Sequence, residues 1–72
     1  MKRYFFDRVG KHRAEYDFCG REFPSQESAR QLAELMAIDL GISEQGEWSG
    51  WVVDVRNSLG QKFFSIPVQL AA

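Results

Sequence analysis

Seventy-two residues with a formal net charge of −1 form one small domain spanning residues 1–72. Apolar residues make up 44% of the chain and aromatics 14%, enough for a core, although a chain of this length buries only about 60% of its unfolded surface. The single cysteine, Cys19, excludes an intrachain disulfide and fits a reducing cytoplasm. The apolar run after Lys2 and Arg3 stops at Asp7, too short for a signal peptide or a membrane span.

Residues 3–9 alternate as a strand, with Tyr4, Phe6 and Arg8 on one face and Arg3, Phe5 and Asp7 on the other. Gly10, Lys11 and His12 make a turn. Residues 13–19 alternate again, with Ala14, Tyr16 and Phe18 opposed to Glu15, Asp17 and Cys19, so a first hairpin is expected, after which Gly20 to Pro24 leave the sheet.

Ser25 precedes a helical pattern and is its expected N-cap, with Glu27 at the positive end of the helix dipole. Ala29, Leu32, Ala33, Met36 and Leu40 form one apolar stripe, which Leu35 widens. Gly41 is expected to end the helix in the left-handed conformation. Residues 41–50, with three glycines and Trp48, read as an irregular loop.

Trp51 to Arg56 and residues 61–68 are the last two strands, joined by Asn57-Ser58-Leu59-Gly60, a type I turn followed by glycine. Pro67 marks a strand end or an edge. The predicted fold is α+β, ββαββ: two β-hairpins flanking one helix, with a four-stranded antiparallel sheet and the helix packed on one face. Tyr4, Phe6, Tyr16, Phe18, Trp51, Val53, Val55, Phe64 and Ile66 suit the covered face. Phe5 and Phe63 would meet on the opposite face as an apolar patch and, with Trp48, mark a protein or homodimer contact.

Charge is uneven. Residues 1–13 hold five basic residues and one acidic, a balance of +4, and residues 14–72 hold four basic and nine acidic, a balance of −5. Arg3, Arg8, Lys11 and Arg13 are therefore the candidate basic patch for nucleic acid, against a remainder that repels phosphate. No C-x-x-C or H-x-x-x-H spacing points to a metal, and no glycine cluster opens the helix to cradle a phosphate. His12 is the one neutral-pH base and its neighbours are cationic. The paired carboxylates Glu15 with Asp17 and Glu44 with Glu47 read as solvated. The expectation is no catalytic residue, no cofactor and no metal.

The run Met1-Lys2-Arg3-Tyr4-Phe5-Phe6, with Gly20 to Ser25, Glu27 to Arg30, Val53 to Val55, Gly60 and Phe64 to Val68, resembles a family of short uncharacterised bacterial proteins. That family is a domain of unknown function common in rhizobia and related alphaproteobacteria, and its members open M-x-R-Y-F-F. The resemblance implies the fold and a bacterial origin and supplies no activity. Many members carry histidine after the Phe-Phe pair, where this chain has Asp7. The hairpin followed by Phe23-Pro24-Ser25, Glu27, Ala29-Arg30 and Ala33 is also similar to the N-terminal half of HicB-type antitoxins, whose appended DNA-binding segment this chain lacks. That similarity implies the alternative of a toxin–antitoxin or nucleic-acid-binding component. The first expectation is a non-catalytic, cytoplasmic protein-interaction module.

Overall fold

The computed structural model describes residues 1–42 and 46–69; Glu44, within the stretch expected to be a loop, lies outside them. The elements are β1 (Lys2–Val9), β2 (Ala14–Glu15), β3 (Arg21–Phe23), α1 (Gln26–Gly41), β4 (Val52–Asn57) and β5 (Lys62–Pro67). The fold is α+β with one helix and an antiparallel sheet in the order β2-β1-β4-β5; β3 pairs with β1 on the same side as β2.

Three strands therefore precede the helix where two were expected. Opposed residues of β1 and β2 sum to 23 (Arg8 with Glu15), and those of β1 and β3 sum to 25 (Tyr4 with Arg21). Two residues are surplus between these registers, so residues 16–20 cannot follow the ladder and loop out. Residues 21–23, expected outside the sheet, return to pair with the start of β1. Tyr16 and Phe18, expected in the core, are 60% and 86% exposed.

Gly20 closes this loop at φ 70 with the Phe5 ring against it, leaving no room for a Cβ. At the far end of β1, Gly10 lies flat on the indole of Trp51. Trp51 is buried there and edge-on to Trp48, rather than in the cluster beneath the helix.

Ser25 caps α1 by accepting from the Ser28 N–H at 3.2 Å. The helix buries Ala29, Ala33, Ala37 and Gly41, an i+4 row of small residues that lets its backbone lie close to the sheet. Ala29, Ala33 and Ala37 form one core with Tyr4, Phe6, Val53 and Val55; Phe23, Leu32, Met36, Leu40, Phe64 and Ile66 close its rim. Leu35, expected to widen the buried stripe, is 60% exposed. Gly41, expected as a left-handed cap, is the last helical residue, and Ile42 caps the helix in the right-handed region.

In the β4–β5 turn, the Asn57 side-chain oxygen accepts from the Leu59 and Gln61 N–H groups, and Gly60 N–H donates to the Asn57 carbonyl. That agrees with the expected turn. A bulge follows between Lys62 and Phe64, where β5 slips against Val55 and Arg56.

Candidate interaction surface

Where residues 16–20 leave the ladder, side chains take over its hydrogen bonding. One Asp17 carboxylate oxygen accepts from the Cys19 and Gly20 N–H groups at 3.0 and 3.1 Å, and the other accepts from the Phe6 N–H at 3.2 Å. The Asp17 N–H donates to Asp7 Oδ1 at 2.9 Å. Partial burial would raise the Asp17 pKa. The backbone bonds from Gly20, Phe6 and Cys19, with the nearby Arg56 charge, outweigh it and hold the carboxyl below the usual carboxylate range.

Arg56 ties this loop to the sheet. Its Nε donates to Asp7 Oδ2 at 2.7 Å, its Nη2 donates to the Asp17 carbonyl at 2.9 Å, and its guanidinium lies 4.6 Å from the centre of the Phe5 ring. Asp7 is buried directly opposite the equally buried Asp54, whose Oδ2 meets Lys62 Nζ at 3.1 Å. Two carboxylates side by side in a sheet repel, and each is held by its own cation.

The clamped loop forms one wall of a groove of about 550 Å³. Phe6 lies on the groove floor, Leu32 and Met36 line the α1 side, and Tyr16 and Phe18 line the loop side. Arg21 and the Arg8–Glu15 ion pair stand on the rim. Arg21 makes no ion pair among the described residues; its guanidinium lies over Phe23 at 5.9 Å. Beyond the groove, the outer side of α1 exposes Leu35, Ile38 and Ile42, and a second groove runs from Leu35 and Ile38 to Ile66.

The residues expected to form an apolar patch are not brought together. Phe5 is half-buried under Arg56. The β5 bulge turns Phe63 away from it, edge-on to Tyr4 at 5.9 Å between ring centres. Trp48 is half-buried against Trp51, with the Arg8 guanidinium 5.0 Å from its ring.

The four basic residues do not make one patch either. Arg3 donates to the Cys19 carbonyl and pairs with Glu22 at 3.3 Å. Arg8 lies five residues further along β1, roughly 17 Å away at strand rise, and pairs with Glu15 at 2.6 Å. Lys11 and Arg13 stand beside Arg8's end of the strand, with Arg13 over Trp51 at 5.2 Å. His12 and Cys19 are exposed, and among the described residues no three His, Cys, Asp or Glu side chains converge to hold a metal.

Sequence reasoning missed Tyr16, Phe18 and the Asp7–Asp17–Arg56 network. One signal was available: Asp17 two and three residues before Cys19 and Gly20 is the spacing at which an aspartate bonds its own downstream backbone and starts a turn.

No curated protein and no solved structure matches the chain. The family model described as "Domain of unknown function (DUF6894)" matches residues 3–69, from β1 to just past β5. On that match, which covers every strand and the helix, the chain belongs to the DUF6894 family.

Proposed function

We propose that this protein is a non-catalytic cytoplasmic module for protein–protein contact, and that its working surface is the groove between α1 and residues 16–20. The observation that carries the reading is Phe18. It is 86% exposed, yet the loop that holds it is pinned by the Asp17 carboxylate, Asp7 and Arg56. A large exposed aromatic carried on a pinned loop beside an apolar groove needs little ordering of its backbone on binding, which is how interface anchors gain affinity.

The layer geometry supports the same reading. A helix about 10 Å across covers roughly two strands at about 4.8 Å spacing, and α1 lies closest to β4 and β5. The β1–β2 side of the sheet is left with an apolar flank beside the helix. Binding nucleic acid, alone or as an antitoxin-like component, has less support, because Glu22 and Glu15 neutralise Arg3 and Arg8.

Site-specific photo-crosslinking tests the proposal. A benzophenone amino acid is placed at position 18 and, as the control, at position 59, where Leu59 is 85% exposed at a turn outside the groove lining. Irradiation in cells is expected to give a discrete protein adduct, with a second copy or another protein, from position 18 alone. Adducts from neither position, or equally from both, would overturn the reading.

A further inference from the structure

Two apolar features lie on the helix side of this molecule, a ridge and a groove. One is a ridge, Leu35, Ile38 and Ile42 on the outer side of α1, at 60%, 46% and 61% exposure. The other is the groove lined by Phe6, Tyr16, Phe18, Leu32 and Met36. We propose that the occupant of the groove is the ridge of a second copy of this chain, seated reciprocally in a two-fold dimer. This rests on the interaction reading above and gives it a partner.

The groove lies beside α1, so an occupant that fills it must run alongside that helix at the usual interaxial distance of about 8–10 Å. A second copy can supply such a helix without leaving its own fold. Its Ala29, Ala33 and Ala37 stay on its own sheet, and only its outer ridge turns toward the first copy. Rotation about an axis parallel to α1 exchanges ridge and groove, so both copies gain the same contact and assembly stops at two. The result is two sheets enclosing one layer of two helices, and the flank that a single helix leaves bare is covered.

Charge agrees with this pairing. Arg21 on the groove rim has no ion pair among the described residues. The polar side of α1 next to the ridge carries Glu27 and Glu34, the latter only 3.9 Å from Arg30. A carboxylate from the incoming helix would meet a guanidinium that lies over Phe23 and has no carboxylate partner among the described residues.

The test is sedimentation equilibrium over a concentration series into the millimolar range, on wild type, a ridge variant (Leu35→Glu with Ile38→Glu) and a groove variant (Phe18→Ser with Met36→Glu). Circular dichroism checks that each is folded. Wild type is expected to dimerise, and each variant alone to be at least tenfold weaker, because each loses both ridge-to-groove contacts. An equimolar mixture of the two variants is expected to associate more tightly than either alone, since the mixed dimer keeps one intact contact. That rescue would not follow from general damage to the fold. A groove variant that fails to fold is replaced by Phe18→Ser alone, which changes an exposed side chain. A wild-type monomer at every concentration, a dimer untouched by both variants, or a mixture no tighter than its components would overturn the proposal. A monomer that still crosslinks another protein from position 18 would leave the interaction reading standing, and loss of both signals would remove both.

Discussion

Arg56→Met offers the sharpest test of how residues 16–20 are held. The substitution keeps most of the side-chain volume over Phe5 and removes the only cation bonded to Asp7 among the described residues. Asp7 is 4% exposed, so the carboxylate left behind has one hydrogen bond, from Asp17 N–H, and little water. Stranding a buried charge costs about 3–5 kcal/mol. Since a quarter of the Arg56 side chain reaches solvent, the lower end, about 3 kcal/mol, is expected here. A domain of this size has on the order of 4–11 kcal/mol in total, so the loss takes a large share. At about 4–8 °C per kcal/mol it lowers Tm by at least roughly 12 °C. Urea unfolding followed by tryptophan fluorescence measures it, with Arg30→Met as the control. Arg30 sits in an exposed pair at 3.9 Å and over the Phe64 ring at 5.4 Å, and its loss is expected to cost no more than about 1 kcal/mol. Equal costs for the two variants would refute the claim that a buried ion pair anchors the loop.

Two further substitutions probe the Asp17 bonds and the Gly10–Trp51 packing. The folded-state pKa of Asp17 is depressed, so its contribution to stability is fully present above the unfolded value of about 3.9 and is lost as pH falls through the lower folded value. Asp17→Asn should therefore destabilise at neutral pH and flatten the fall in unfolding free energy below about pH 4. An unchanged acid limb would mean that the three backbone bonds to Asp17 do not act in solution. Gly10→Ala drives a methyl group into the Trp51 indole; a cost of about 1–3 kcal/mol with a shifted fluorescence maximum is expected, and wild-type stability and spectrum would contradict the packing.

Some elements were legible because their causes are local. Ser25 caps the helix whose first turn it precedes, the helical period spans Gln26–Gly41, and Asn57 folds its own turn through bonds two and four residues on. In each case the residues that decide the conformation are the residues that adopt it. The long strands β1, β4 and β5 were legible for a related reason, since alternation along one strand reports its covered face wherever the ladder is continuous.

The candidate surface depended on what no single segment contains. Alternation placed Tyr16 and Phe18 inward, but alternation has meaning only while a strand keeps its partner. The two-residue offset between the β2 and β3 registers belongs to β1 as much as to them. The Arg56 to Asp7 bond joins residues 49 apart, and the bulge that turns Phe63 from Phe5 to Tyr4 arises from how β5 meets β4. By itself the sequence determined the α+β class, the helix with its cap, the β4–β5 turn and the three long strands, through short-range hydrogen bonding and side-chain period. Only the tertiary structure decided which aromatics stay in water, because strand register is settled between segments and the two surplus residues between the β2 and β3 registers loop Tyr16 and Phe18 out of the ladder.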